Sequence, residues 1–129
     1  MKYEVVFEPF AERHFIKTFA KKYQGSWEKT YGVLVLEFSL VDLLFEKTIA
    51  EAITDRTADV YICKTEFKIA GTAASRHGSG NRCIVAVCKS TAKVHVLLVY
   101  CKTDIDGSNE TAWWKGVIKQ NYSEYKNLL

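Results

Sequence analysis

The strongest constraint on the fold is a change of hydrophobic periodicity that begins near Asp59. Two sets of side chains alternate from there: Tyr61, Cys63, Thr65, Phe67 and Ile69 on one face, and Ile62, Lys64, Glu66 and Lys68 on the other. A period of two is the spacing of a β-strand, because successive side chains project to opposite sides. The segment is therefore predicted to be a strand with one polar face.

Two more apolar runs follow, at residues 82–88 and 94–102, and five residues, 89–93, join them. A connection of that length suits a β-hairpin. Three consecutive strands with short connections predict an antiparallel meander in the C-terminal half.

The N-terminal half has a different pattern. Residues 3–7 have strand composition, and Pro9 stands where the first turn of a helix tolerates proline. Residues 9–23 place their apolar side chains on one stripe, which predicts an amphipathic helix. Residues 27–53 are rich in Leu, Val and Phe, and the pattern favours helix there, although 32–38 also fits a strand.

Two further features predict helix starts. Ser39, with Asp42 three residues later, fits a capping box that begins a second helix in the apolar region. Near the C-terminus, a turn and cap precede a helix with Glu110 close to its start; the cap residues are Asp104, Asp106, Gly107, Ser108 and Asn109. Trp113 and Trp114 are adjacent, so both cannot easily face one core, and one of them is a candidate contact surface.

The chain of 129 residues is long enough to bury one core, and we expect a single domain, 1–129. Its four cysteines lack the paired spacing of zinc sites, which predicts reduced thiols, a cytoplasmic protein, and neither a metal nor another cofactor. The N-terminus has no signal-like apolar stretch, and the apolar runs are too short to span a bilayer, so we expect no membrane association.

Charge is unevenly distributed along the sequence. Residues 60–102 hold seven Lys and Arg side chains against one acid, Glu66, while the rest of the chain holds eleven basic and fourteen acidic residues. This segregation predicts a polyanion as partner, with a solvated basic face as the alternative.

A glycine-rich connection, GTAASRHGSG at 71–80, carries Arg76 and His77 and leads to Arg82. Strand alternation predicts that Lys64 shares a strand face with Lys68, and that Tyr100 shares one with Lys102. If these residues and Arg82 project from the same side, one sheet face gathers all five, with Arg76 and His77 above it. Such a surface would attract phosphates. RNA cleavage without a metal needs a base, a cation and an acid, and Lys, Arg, His and Tyr can supply them. No carboxylate pair or metal-ligand set competes for this role. Alternatively, Tyr100 is a core aromatic, and Lys64 and Lys68 are the solvated side of a strand.

The stretch HGSGNRCIVAV, a short hairpin, VHVLLVYCKTDI and a helix near NETAWW resemble the C-terminal half of the RelE/ParE toxin superfamily, over residues 58–120. Gly80, Arg82, Tyr100 and Lys102 match the family pattern, and His77 stands where a lysine is common. The resemblance implies an α+β fold, in which an antiparallel sheet of an N-terminal strand and the meander has N-terminal helices packed on one face, followed by a C-terminal helix.

The resemblance also implies a function: a toxin that cleaves mRNA on the ribosome without a metal and is held by a cognate antitoxin protein. Arg82 would hold the scissile phosphate, Lys64 or Lys68 would act as base or charge stabiliser, and His77 or Tyr100 would transfer protons. RNA contacts would come from Arg76, Lys102, Lys89 and Lys93. The alternative is a non-catalytic relative that binds RNA or a protein target, as a gyrase-directed ParE-type toxin does.

Overall fold

The computed structural model of the protein describes residues 1–105, 107 and 109–129. The elements in chain order are β1 (Glu4–Phe7), α1 (Pro9–Ala11), a π-helical turn (Glu12–Ile16), α2 (Lys17–Lys22), α3 (Trp27–Ser39), α4 (Val41–Glu46), β2 (Ala50–Ala52), β3 (Val60–Phe67), β4 (Asn81–Cys88), β5 (Lys93–Cys101), a 3₁₀ turn (Lys102–Asp104), α5 (Glu110–Asn121) and a second 3₁₀ turn (Lys126–Leu128). The fold is α+β, as predicted.

The five strands form one sheet in the order β1-β5-β4-β3-β2. The predicted antiparallel meander is confirmed, since β3 pairs with β4 and β4 with β5 in that sense. The sheet as a whole is mixed, however, because β1 runs parallel to β5. No hairpin joins these two strands, so chain connectivity does not impose an antiparallel pairing, and the expectation of a wholly antiparallel sheet is wrong at this edge.

The apolar region 27–53 is helical for most of its length, and 32–38 lies within α3. Helix does not continue to Ile53: α4 ends at Glu46, and Thr48 adopts a positive φ of 57° before β2 begins. The three residues of β2 pair antiparallel with β3. So short a strand is defined by its partner rather than by its own periodicity, which is why the pattern did not reveal it.

The predicted capping box at Ser39 is wrong. The Ser39 hydroxyl donates to the carbonyl of Leu36 at 2.6 Å, and α3 itself ends at Ser39. The break between α3 and α4 falls at Leu40, which lies outside helical backbone geometry and has no capping side chain. Among the residues that the structure describes, no helix is both long enough and apolar enough to cross a membrane.

Helices cover both faces of the sheet. On one face, Phe38 and Val41 from α3 and α4 pack against Val85 and other strand residues. On the other face, Trp114 and Ile118 of α5 pack against the opposite side of the meander. Burying each large aliphatic or aromatic side chain contributes about 1.5–3 kcal/mol, so the doubly covered meander is the main source of stability.

The C-terminal helix begins as predicted. Asn109 caps α5, because its side chain accepts a hydrogen bond from the amide of Ala112 at 3.0 Å. Asp104 ends the 3₁₀ turn, while the proposed cap residues Asp106 and Ser108 lie outside the described residues. Trp114 is buried, whereas Trp113 is half-buried against the ring of Tyr100 at 5.1 Å.

All four cysteines are free thiols, in agreement with the sequence. Cys63 and Cys83 are fully buried in the sheet. Burial raises the pKa of Cys63 to about 12, so this thiol stays protonated and serves as a small apolar side chain.

Candidate functional site

A row of three polar side chains crosses the meander at the end nearest the 71–80 loop. Glu66 of β3 is the register partner of Arg82 of β4, and Arg82 is the partner of Tyr100 of β5. Directly paired residues project to the same side of a sheet. Lys64 precedes Glu66 by two positions and projects to that side as well. The structure therefore brings Lys64, Arg82 and Tyr100 together on the face covered by α5.

The carboxylate of Glu110, the first residue of α5, lies at the centre of this group. Its Oε2 accepts the hydroxyl of Tyr100 at 2.6 Å, lies 2.9 Å from the Lys64 Nζ, and lies 3.9 Å from the Arg82 Nε. Burial acts to raise the pKa of Glu110, but hydrogen bonds from Tyr100 and Lys64, together with nearby positive charge, lower it below 4.5. Lys64 and Arg82 therefore face a carboxylate that lies outside the basic segment of the sequence.

The Tyr100 hydroxyl donates its hydrogen bond to this carboxylate. Burial, followed by the hydrogen bond to Glu110, raises the pKa of the phenol well above its ordinary value of 10.0. The hydroxyl is consequently a fixed donor to Glu110, which corrects the expectation that it handles protons of a substrate.

Arg82 is buried, with its side chain only 3% exposed. Its Nη1 donates to the carbonyl of Asn81 at 3.1 Å, and its Nη2 lies 3.5 Å from the carbonyl of His77 and 3.7 Å from Glu66 Oε1. A guanidinium in this position ties the loop to the sheet and lies out of reach of a polymeric phosphate. The phosphate-binding role implied by the resemblance therefore does not fit its position.

The hydroxyl of Ser79 links the 71–80 loop to the ends of β3 and β4. Ser79 Oγ contacts the carbonyls of Phe67 at 2.5 Å and Arg76 at 2.7 Å, and it accepts the amide of Asn81 at 3.0 Å. Gly80 closes the loop with a φ of +78°, and an added Cβ would lie 3.2 Å from the Cγ of Lys102. Both the backbone angle and the close packing therefore favour glycine at this position.

Arg76 fixes the loop to the helical layer on the other side. Its guanidinium forms an ion pair with Glu37 of α3, in which Nη1 lies 3.3 Å from Oε1, and Nη1 also donates to the carbonyl of Glu66 at 3.1 Å. The side chain remains about one-third exposed, so part of its charge faces solvent.

His77 is accessible to solvent, with 79% of its side chain exposed. Its Nδ1 lies 3.0 and 3.1 Å from the two carboxylate oxygens of Glu66. Because the Glu66 carboxylate accepts a hydrogen bond from Nδ1, a neutral imidazole carries its proton on Nδ1, and Nε2 is free to act as a base. A histidine oriented by a carboxylate is the arrangement that general acid–base chemistry uses.

The His77–Glu66 pair borders a cleft of about 410 Å³. Lys64, Arg76 and Ser75 also line it, and residues 48–51 close the opposite side beside β2. The volume lies in the range of small-ligand sites, about 300–1,000 Å³. The cleft therefore combines one oriented imidazole, two cations, the two carboxylates of Glu51 and Glu66, and space for a nucleotide-sized group.

The other predicted residues lie elsewhere. Lys68 lies just beyond the end of β3 and lines a separate cleft against α3. Lys102 is exposed next to Gly80. Lys89 and Lys93 flank the turn of the β4–β5 hairpin. About seven residues separate this turn from Arg82, which corresponds to ~23 Å along the strands. Lys89 donates to the carbonyl of Arg56 at 2.6 Å, and Lys93 pairs with Glu4 at 3.6 Å, so neither joins the cluster.

The important residues that sequence reasoning missed are acidic. Glu66 was visible as the one acid of the basic segment and was placed on the same strand face as Lys64, but it was given no role at the site. Glu110 was seen only as a favourable charge near a helix start. Its contact with Lys64 depends on how α5 crosses the sheet, and no local pattern encodes that crossing.

The charges at this site nearly balance. Lys64 and Arg82 face the carboxylates of Glu66 and Glu110, so this inner group is neutral when His77 is neutral. Among the described residues, no three His, Cys, Asp or Glu side chains are grouped so that they could hold a metal ion. A scan against protein-family models, a search of curated proteins and a search of solved structures found no match to this chain. The relation to RelE/ParE toxins remains a resemblance.

Proposed function

We propose that this protein is a metal-independent endoribonuclease toxin that cleaves mRNA on the ribosome, with His77 as the reactive centre. The observation that carries the proposal is the exposed imidazole of His77, held by Glu66 at 3.0 Å beside the cations of one cleft. The motif resemblance over residues 58–120 supports the same activity.

The cleavage would proceed by attack of a ribose 2′-oxygen on the adjacent phosphorus. His77 Nε2 takes the proton of the 2′-hydroxyl, and the new P–O bond forms as the bond to the 5′-oxygen breaks. The leaving oxygen receives a proton from the Lys64 ammonium, which lines the same cleft. The products are a 2′,3′-cyclic phosphate and a 5′-hydroxyl, and exchange with water restores both side chains.

Glu66 and Arg76 assist in different ways. Glu66 orients the imidazole and stabilises the imidazolium that forms during attack. Arg76 contributes positive charge at the cleft as the phosphate gains charge; preorganised groups of this kind contribute about 3–4 kcal/mol to transition-state stabilisation. Arg82 is a positioning residue in this scheme, because it holds Glu66 and the loop rather than the substrate.

The test is a comparison of His77→Gln with His14→Gln, an exposed histidine outside the cleft. Expression of the unmodified chain should arrest growth of host cells and leave cut messages that primer extension maps. His77→Gln should reduce single-turnover cleavage on purified ribosomes by about 10²–10⁴-fold, the usual contribution of a positioned acid–base group. Because His77 is exposed, the thermal unfolding of the His77→Gln variant should change little. The His14→Gln variant should remain toxic.

Normal growth with abundant folded protein and intact messages would overturn the proposal. Full cleavage by His77→Gln would remove His77 from the mechanism.

A second candidate function is binding of a protein target without catalysis. Three large apolar side chains, Val33, Leu36 and Leu43, are exposed on the consecutive helices α3 and α4. Such side chains favour a protein partner, for instance a cognate antitoxin or the target of a gyrase-directed relative. This candidate predicts association that changes little with salt and is not accompanied by RNA cleavage.

A further inference from the structure

Strand β5 has a free edge beyond Val96. On the side away from β4, β1 pairs with residues 93–96 only, and the amide of Glu8 donates to the carbonyl of Val96 at 3.1 Å. The chain then turns into α1. Within the part of the chain that the structure describes, no strand lies beside residues 97–101 on this side. A free strand edge presents N–H and C=O groups that can pair with another chain.

The register between β4 and β5 identifies the backbone groups that face this free side. The amide of Lys102 donates to the carbonyl of Gly80 at 2.8 Å, and Tyr100 occupies the equivalent position two residues earlier. In antiparallel strands, residues that bond to the neighbouring strand alternate with residues that do not. Tyr100 therefore bonds to β4, while Val99 and Cys101 direct their N–H and C=O groups away from it. Among the described residues, none of these four groups has a hydrogen-bond partner.

Both outward-facing residues line a cleft of about 380 Å³, which we name the β5-edge cleft. Aromatic side chains form its walls on both sides of the sheet. Phe19 packs with Val99 in the core on the face covered by α3, and Trp113 packs with Tyr100 on the face covered by α5. Phe15 also lines the cleft, with its ring 6.3 Å from that of Trp113. The free strand edge therefore opens into an apolar, aromatic cleft.

This combination selects an extended apolar peptide. The two outward-facing residues are about 7 Å apart along β5, which is the repeat at which a paired strand presents its own N–H and C=O groups. Such a strand would have one face toward Phe19 and the other toward Trp113, and strands buried on both faces are apolar throughout. The charged lining residues favour neither an anion nor a cation, because Lys22 and Asp104 supply one charge of each sign when His14 is neutral.

We propose that the β5-edge cleft binds an extended segment of a partner protein, about three apolar residues long, as an added strand beside residues 99–101. In strand addition, main-chain hydrogen bonds provide affinity and side-chain pockets provide specificity. The cleft is separate from the exposed apolar side chains of α3 and α4, Val33, Leu36 and Leu43, none of which lines it. The inference does not depend on RNA cleavage.

The first test uses the protein alone and measures amide hydrogen exchange by NMR. Val99 and Cys101 should exchange at least about 100-fold faster than Leu98 and Tyr100, because the latter two bond to β4 and exchange only when the sheet opens. Equal protection of all four amides would show that the edge of β5 is already paired, and the proposal would be wrong.

The second test measures binding of fluorescein-labelled peptides by fluorescence anisotropy. Their three core positions are Val, Leu or Phe, with one hydrophilic residue at each end. N-methylation of successive core amides in the best binder should have unequal effects, because alternate amides face β5: one position should weaken binding about tenfold and the next should change it little. At ten times the Kd, exchange of Val99 and Cys101 should slow about tenfold, while that of Leu98 and Tyr100 stays the same.

A pair of variants tests the location. Thr18→Tyr places a larger side chain on an exposed lining position and should weaken binding about tenfold. Thr111→Tyr makes the same change at an exposed position of α5 outside the lining and should leave the affinity unchanged. If no peptide of the set binds at about 1 mM, the proposal is refuted. Binding that is equally sensitive to methylation at every position, or unaffected by Thr18→Tyr, would refute strand addition at this cleft.

Discussion

Replacing Glu110 with glutamine tests how much this one carboxylate stabilises the two cations next to it, Lys64 and Arg82. Glutamine keeps the size of the side chain and an acceptor for Tyr100, so the change removes mainly charge. Arg82 Nε lies 3.9 Å from Glu110 Oε2, a separation at which two unit charges attract by about 4 kcal/mol at an effective dielectric constant near 20. Desolvation offsets part of this attraction, and Glu66 still faces Arg82 at 3.7 Å. We expect a net loss of about 2 kcal/mol in the free energy of unfolding.

The assay is urea unfolding followed by tryptophan fluorescence, because a chain of 129 residues, which we expect to form one domain, should unfold in one transition. With a slope of about 1–3 kcal/mol/M, the midpoint should fall by roughly 1 M. The folded-state pKa of Glu110 is lowered, so its stabilisation is fully present above the ordinary value of 4.5 and is lost as the pH falls through the lower folded value. The difference between the two proteins should therefore shrink below pH 4.5. A neutral-pH difference below ~0.5 kcal/mol, the range of ordinary surface substitutions, or one independent of pH, would refute this account.

Two other substitutions test the supports of the site. Arg82→Ala should lower the free energy of unfolding by about 3–5 kcal/mol, because it leaves Glu66 and Glu110 without their shared buried cation; thermal unfolding measures the loss, and a stable variant would contradict the buried ion pair. Gly80→Ala should cost about 1–2 kcal/mol, since a positive φ of 78° disfavours a side chain and Lys102 must move; unchanged stability would show that the loop relaxes freely.

The sequence allowed the meander to be predicted because alternation is a local property. A period of two placed Lys64 and Glu66 on one strand face, whereas the face of Arg82 depends on the register between β3 and β4. The cap at Asn109 was equally local, since the side chain bonds an amide three residues away. Each of these features depends on neighbours in the chain or on hairpin pairing.

The features that could not be predicted all depend on distant contacts. The parallel pairing of β1 with β5 joins residues about 90 positions apart, such as Val5 and Val94. The loop is fixed by Arg76 reaching Glu37, and the cations are neutralised by Glu110. The sequence of a basic segment gives the number of charges, but the fold determines which acidic residues of other elements pair with them.

The shared position of Glu66 determines how variants of this site must be interpreted. One of its oxygens, Oε1, lies 3.0 Å from His77 Nδ1 and 3.7 Å from Arg82 Nη2. A substitution at Arg82 therefore disturbs the orientation of His77 as well as the core, and loss of toxicity in Arg82→Ala would not distinguish catalysis from stability. His77 lies at the exposed end of the same chain of contacts, so its replacement removes the imidazole while the buried ion pairs remain. Activity at this site must accordingly be assigned from His77 variants, with Arg82 variants read first as measurements of stability.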